Sequence, residues 1–391
     1  MMQNEKSSDE KFGIVIGGSG LVGGALVHYF KKKWGYDILA PNSKKLSLRE
    51  ADDIKEYFQL YQPEFIINAA MVALDSNPKL TFDVNYVGSI NLAKVAITLG
   101  IPYIFISSAA VLPIGEDLTE TDTLPLTAKM NNYAKSKLMC ELTLEHLRET
   151  EGLDYTTIRL AIVYGKHDHK IQGFHRLFFS IVDQSMPVLP TQKNVRHTYT
   201  NLKKIPYFVR HILQNRDEFS GQTYHFADPK PVVLGKLILT IRNYLMLKKP
   251  REIYVPLPVA RVAIKVMRGI LKIMMNIGID ARLPPEIMFI ENFYQPQTLS
   301  VQKLQESSYT DPHPERDIFA LIPDLIQYYV TRWEQLNLIP LINKCFFDPE
   351  KLAEDFLDEP QELLDAIVSK KIEPFSEFEN PTKISWPRSR E

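Results

Sequence analysis

The chain has 391 residues, 45% of them hydrophobic, with 46 Lys+Arg against 47 Asp+Glu. That apolar content excludes a disordered chain and is enough for one large α/β domain with additions, or for two domains sharing a cleft. The balanced charge excludes a global field for nucleic acid, and two cysteines, Cys140 and Cys345, exclude a disulfide framework or thiolate metal cage, which fits a reduced compartment.

The opening "MMQNEKSSDEK" has no apolar core of the kind a secretory signal needs, so the expected location is the cytoplasm. From Phe12 short apolar runs alternate with longer amphipathic ones. "FGIVIG" predicts a buried strand, "LVGGALVHYFKKK" a helix, "YDILAP" a strand, "ADDIKEYFQLYQ" a helix and "EFIINAA" a strand. The alternation continues through "TFDVNYVGSINLAKVAITLG" (helix), "PYIFISS" (strand), "NNYAKSKLMCELTLEHLRE" (helix) and "YTTIRLAIVYG" (strand). This pattern predicts an α/β fold of the Rossmann type, a doubly wound parallel sheet whose strand ends face one edge, where a ligand sits.

After Gly165 the alternation gives way to Pro, aromatics and mixed helices. The predicted organisation is a dinucleotide-binding unit over 12–165 with return elements to about 235, a smaller mixed substrate lobe over 166–335, and a helical extension and tail over 336–391. "FSGQTYHFAD" is the candidate strand returning to the main sheet.

"IVIGGSGLVGG" puts Gly17, Gly20 and Gly23 between the first strand and first helix. The first glycine permits a tight turn, the second a close approach of diphosphate to backbone, and the third close packing of helix on strand. The helix start, Leu21 and Val22, then offers N–H groups and the positive end of the dipole to phosphates. After the second strand, Asn42 and Ser43 stand where an acid would accept the adenosine ribose hydroxyls, followed by Lys44 and Lys45. Neutral and basic groups admit a 2′-phosphate, which favours NADP over NAD.

Tyr133 and Lys137 in "NNYAKSK" are one helical turn apart, a spacing that also occurs on ordinary solvated faces. Their company changes the reading. The glycine loop, "INAA", "ISSAAV" and "YAKSK" occur in that order, and with them residues 12 to 235 resemble the extended short-chain dehydrogenase/reductase family, also described as NAD-dependent epimerases and dehydratases. Asn68, Ala69, Ala70, Asp75, Pro78 and Asn85 carry a closer likeness to dTDP-dehydrorhamnose reductases and related nucleotide-sugar enzymes.

The resemblance implies that Tyr133 is the acid/base, Lys137 its partner and a holder of the nicotinamide ribose, and Ser108 the hydroxyl on the substrate oxygen, with Ser107 the alternative one position earlier. It places Asn68, Ala69 and Ala70 along the coenzyme and Asn85 behind the site. An ordinary phenol has a pKa of about 10, and a nearby ammonium and an oxidised nicotinamide are expected to lower it. Ala109 and Ala110 replace the Asp-Glu pair that the family's dehydratases place after the hydroxyl, so reduction, oxidation or epimerisation is expected instead of dehydration.

In the later lobe Arg196 lies near a family position for an arginine on the substrate diphosphate, with Asn201 where an acid is usual. His167, Asp168 and His169 form an incomplete ligand set, and no metal is expected. Cations at 261, 265, 268 and 272 form a stripe on the apolar segment 259–277, which suggests peripheral contact with a membrane or a dimer helix. The expected function is an NAD(P)-dependent reductase or epimerase on a nucleotide-linked keto sugar, a small-molecule enzyme and homodimer with no nucleic-acid partner. Two alternatives stand beside it: a hydroxysteroid- or lipid-type dehydrogenase, and a non-catalytic NADP-binding regulatory module.

Overall fold

A computed structural model describes residues 11–74, 76–171, 173–183, 189, 191–245, 254, 256, 258, 259, 262, 266, 293–336, 338, 339, 356–358 and 360–368. Asp75 and the stripe 259–277, apart from positions 259, 262 and 266, lie outside them. So does most of the extension beyond 339.

Six strands form one parallel sheet: β1 (Phe12–Ile16), β2 (Asp37–Leu39), β3 (Phe65–Asn68), β4 (Tyr103–Ser108), β6 (Tyr155–Leu160) and β10 (Gln222–Phe226), in the order β10-β6-β4-β3-β1-β2. The last of these is the returning strand that "FSGQTYHFAD" suggested; it pairs with β6 in parallel. The order reverses between β1 and β3, and the ends of β1, β3 and β4 lie side by side on one edge of the sheet.

Period-two alternation splits the strand residues between two apolar layers. Val15, Ile67, Ile104 and Ile158 pack with α1 (Leu21–His28) and α7 (Ile205–Gln214). Ile14, Ile16, Ile66 and Phe105 pack with α2 (Ala51–Leu60), α4 (Gly88–Leu99) and α5 (Asn132–Glu151). Strands buried on both faces read as continuous apolar runs, which is why "GIVI" and "FIIN" carry no polar alternation.

The helix predicted from Thr81 to Gly100 is three pieces: α3 (Pro78–Thr81), a wider π-helical turn at Phe82–Val87, and α4. Asn77 caps the first, accepting the Leu80 N–H at 2.8 Å, and Gly100, with φ 63°, closes the last. Similarly, α1 ends in a π-helical turn at Tyr29–Lys33. The strand predicted over Tyr155–Gly165 divides after Leu160: β7 (Ile162–Tyr164) leaves the main sheet and pairs with β9 (Tyr199–Asn201). A four-stranded mixed sheet has the order β11-β8-β12-β5, from β5 (Gly115–Leu118), β8 (Arg196–His197), β11 (Val232–Val233) and β12 (Gln297–Leu299).

The chain divides into two compact units. The first comprises Met1–His175, Asn194–Leu234 and Phe289–Ile318, and holds all these sheets. The second comprises Arg176–Lys193, Gly235–Met288 and Phe319–Glu391. In it, Phe178 packs its ring 6.1 Å from Tyr329 and 5.4 Å from Trp333, both on the helix Ile318–Gln335. Among the described residues no helix is long and apolar enough to cross a membrane.

Candidate active site

The glycine loop is tightly built. Gly17 has φ +82°, a left-handed conformation that a side chain disfavours, and a Cβ there would stand 2.7 Å from the backbone of Ala69 and Ala70. A Cβ on Gly23 would stand 2.1 Å from the Gly17 carbonyl oxygen, so the first turn of α1 packs directly on the loop. Gly20 donates its N–H to that same oxygen at 2.9 Å. Leu21 and Val22 follow as the first two residues of α1.

Asn68 shapes the wall opposite the loop. It is fully buried at the end of β3, donates to Ser89 Oγ at 2.9 Å and to the Tyr103 hydroxyl at 2.8 Å, and accepts the Ala70 N–H at 3.0 Å. The turn Ala69–Ala70 is thereby held against Gly17. At the end of β2, Asn42 Oδ1 accepts the backbone N–H groups of Lys44 and Lys45 at 3.0 and 3.1 Å, in a loop where Asn42, Ser43, Lys44 and Lys45 are all exposed.

Asn131 caps α5, its side chain accepting the Ala134 N–H at 2.8 Å, so Tyr133 falls in the helix's first turn. From there the Tyr133 phenol lies near the Ser108 hydroxyl at the end of β4, close enough for that hydroxyl to act on its pKa, and Ser108 Oγ accepts the Ala110 N–H at 3.2 Å. Ser107 points elsewhere: strand alternation turns it toward α5, where it donates to Glu141. Lys137 is buried one turn beyond Tyr133, donating from Nζ to the Ile106 carbonyl at 2.8 Å, with the Phe105 ring centre 4.6 Å away.

Burial decides the protonation states. It raises the Tyr133 phenol above its ordinary value, outweighing the nearby Ser108 hydroxyl, which lowers it. The phenol is therefore a proton donor in the chain by itself, and the lowering expected from the neighbouring ammonium does not carry there. Burial also pulls the Lys137 amine down to about 8, against Cys140 and Glu141, which raise it.

Asn85 lies in the π-helical turn behind these groups. Its side chain accepts the Val72 N–H at 2.9 Å and donates to Ser136 Oγ at 3.3 Å, while Ser136 donates to the Tyr133 carbonyl at 2.8 Å. Its carbonyl takes hydrogen bonds from Ser89 Oγ at 2.7 Å and Cys140 Sγ at 3.1 Å. The wide turn frees that carbonyl for side-chain donors and ties three segments together.

Arg196 lies on β8, where it is about half exposed and ion-paired through both Nε and Nη2 with Glu116 of β5. Asn201 is buried, donating to the Arg316 carbonyl at 3.0 Å and accepting the Lys203 N–H at 3.0 Å. The Asp168 carboxylate lies 2.8 Å from His175 Nδ1 and accepts the Lys170 N–H at 2.9 Å. Among the described residues no cluster of three or more metal-ligating side chains occurs. Two charged residues next to the candidate triad escaped the sequence reading: Glu141 and Arg159, a buried pair whose role is taken up below.

Residues 14–191 match the model of the NAD dependent epimerase/dehydratase family. Among individual proteins it is similar to methionine adenosyltransferase 2 subunit beta of Xenopus laevis, 29% identical over 42% of this chain and 51% of that one. It is also similar to GDP-L-colitose synthase of Yersinia pseudotuberculosis, 26% identical over 46% of this chain and 62% of that one. The chain thus spans about half to three fifths of the length of these relatives. In fold it is similar to GDP-mannoheptose C4 reductase of Campylobacter jejuni, solved with NADP bound, at a TM-score of 0.59 and 12% identity over 83% of this chain and 100% of that one.

Proposed function

We propose that the chain is an NADP-dependent reductase or epimerase acting on a nucleotide-linked keto sugar, with Tyr133 as the proton donor. The observation that carries the proposal is the convergence of Ser108, Tyr133 and Lys137 at the end of β4, on the sheet edge that also bears the Gly17–Gly23 loop. Gly17, Gly20, Gly23, Leu21 and Val22 would hold the diphosphate, Ala69 and Ala70 would line the coenzyme's path, and Asn68 would fix them. A bound nicotinamide supplies hydride to the carbonyl carbon.

The chain's residues handle the other half of the reaction. Ser108 orients the substrate carbonyl oxygen by a hydrogen bond, and Tyr133 passes its proton to that oxygen as the C=O becomes C–OH. The phenol's raised pKa suits this direction, because the group is held in its acid form at neutral pH. Lys137, charged below about pH 8, stabilises the phenolate left behind.

The likeness to the Yersinia GDP-L-colitose synthase supports the sugar class. Choice of coenzyme rests on Asn42. Its carbonyl oxygen is already engaged by two backbone N–H groups, which leaves its NH₂ and the exposed Lys44 and Lys45 as donors for a 2′-phosphate. NADPH is expected to bind more tightly than NADH in a fluorescence titration, and Asn42→Asp to weaken NADPH by at least about tenfold while sparing NADH. Equal affinities in the parent chain remove this assignment. In the same titration Gly23→Ala is expected to weaken both coenzymes by about tenfold or more, because the added methyl forces α1 away from Gly17.

Activity is tested by NADPH consumption with GDP- and dTDP-linked keto sugars. A second reading, a dinucleotide-binding subunit without chemistry, is favoured by the likeness to the Xenopus subunit. It requires NADPH binding with no consumption on any keto sugar and stable association with a separate enzyme.

A further inference from the structure

Behind the reacting groups lies a buried ionic cluster that the proposed chemistry leaves unused. Glu141 is on α5, two turns after Tyr133 and one after Lys137, and its side chain is 6% exposed. Arg159 of β6, 5% exposed, grips both carboxylate oxygens: Nε is 3.2 Å from Oε1 and 3.1 Å from Oε2, and Nη2 is 2.7 Å from Oε2. Ser107, the register partner of Arg159 across β4 and β6, donates its hydroxyl to Oε1. The guanidinium is fixed in turn, donating from Nη1 to the Glu120 carbonyl at 2.6 Å and lying 3.4 Å from His225 Nε2.

A buried ion pair is an inefficient way to stabilise a fold, since well-packed apolar residues of similar volume often serve as well or better. What this pair does is local. It locks α5 to the ends of β4 and β6, and it leaves a carboxylate on the helix face that carries Lys137. We propose that Glu141 is a positioning residue of the site: held by Arg159 and Ser107, it sets α5 so that Tyr133 meets Ser108, and it supplies the negative charge that the buried Lys137 ammonium faces. The inference rests on reading Tyr133 and Lys137 as the reacting pair.

The surroundings of Lys137 single Glu141 out. Cys140, the other group on α5 that favours the ammonium, is a thiol pushed up by burial to about 12 and is neutral at physiological pH. Tyr133, one turn before, is a neutral phenol held up by burial. From β4 come the Ile106 carbonyl and the Phe105 ring, neither of which titrates. Arg159 from β6 is paired with Glu141 itself, and the Tyr155 phenol of the same strand is raised to about 12 and uncharged. Glu141 is therefore the charged counter-group that offsets part of the burial cost of the ammonium.

The test is a titration of Lys137 by NMR in protein labelled at lysine Cε and Nζ, without coenzyme or substrate, the signal being assigned by its loss in Lys137→Met. The parent midpoint is expected near 8. Glu141→Gln, which keeps the shape and removes the charge, is expected to lower it by roughly one unit, a tenfold larger neutral fraction. Because that variant leaves Arg159 without an ionic partner, the double variant Glu141→Leu with Arg159→Met is measured beside it; neither member of the ion pair is then stranded, and a downward shift is again expected. A midpoint that stays or rises in either folded variant overturns the proposal, as a purely structural Glu141 would leave it in place. Since no coenzyme is present, failure of NADPH to bind or of a keto sugar to react bears on the proposed function and not on this result.

Discussion

Tyr133→Phe is expected to lower keto-sugar reduction by about 10²–10⁴-fold, the range found when a positioned general acid is removed, while NADPH binding stays at the parent value. The substitution deletes one oxygen, so the partly buried ring keeps its packing at the start of α5 and the fold is undisturbed. What disappears is the proton beside Ser108. The pH dependence has a definite sign. The phenol must be protonated to donate, and burial raises its pKa, so its loss of function lies well on the alkaline side. The Lys137 ammonium is lost earlier, through about pH 8, and the reduction rate is expected to start falling there. Lys137 also shapes stability: its folded pKa is depressed below the ordinary lysine value, so the unfolded chain binds more protons between about 8 and 10.5, and this group adds stability as pH rises through that window. Full turnover by the Phe variant would falsify the role of Tyr133. NADPH binding without turnover in both proteins would instead favour the subunit reading.

The sheet was legible because its strands are buried on both faces and its helices on one, so the apolar periods of "FGIVIG" and "ADDIKEYFQLYQ" differ without overlap. The glycine loop was legible for a stricter reason: the positive φ at Gly17 and the contact at Gly23 tolerate no side chain. The choice between Ser107 and Ser108 was not, since a one-residue slip exchanges the two faces of a strand; the register of β4 against β6 turns Ser107 to Glu141 and leaves Ser108 with Tyr133. The π-helical turn at Phe82–Val87 was hidden because one extra residue in a turn barely disturbs an apolar period. Arg196 was singled out by its place near a family position, and its ion pair with Glu116 spans 80 residues, a separation no local pattern encodes. Nothing local in the sequence pairs Glu141 with Arg159. The packing of α5 on β6 brings them together.

Arg159→Met is expected to destabilise the protein by about 3–5 kcal/mol, the usual cost of breaking a buried ion pair by removing one partner. The Glu141 carboxylate would then keep only the Ser107 hydroxyl as a donor among its present partners, in surroundings where its side chain is 6% exposed. Against a total stability of about 5–15 kcal/mol for a typical domain, such a loss is visible as a large fall in Tm. The apolar double variant discriminates between two explanations. If the penalty comes from the stranded carboxylate, Glu141→Leu with Arg159→Met is expected to recover most of the lost stability, since neither member of the pair is left behind without the other. If Arg159 matters through its other contacts, the Glu120 carbonyl at 2.6 Å and His225 at 3.4 Å, the double variant stays as unstable as the single one. Thermal unfolding of the parent, the single and the double variant therefore locates the energy. Recovery of stability without recovery of turnover is the combination expected of a pair whose contribution to the fold is replaceable and whose contribution to the position of Tyr133 and the charge of Lys137 is not.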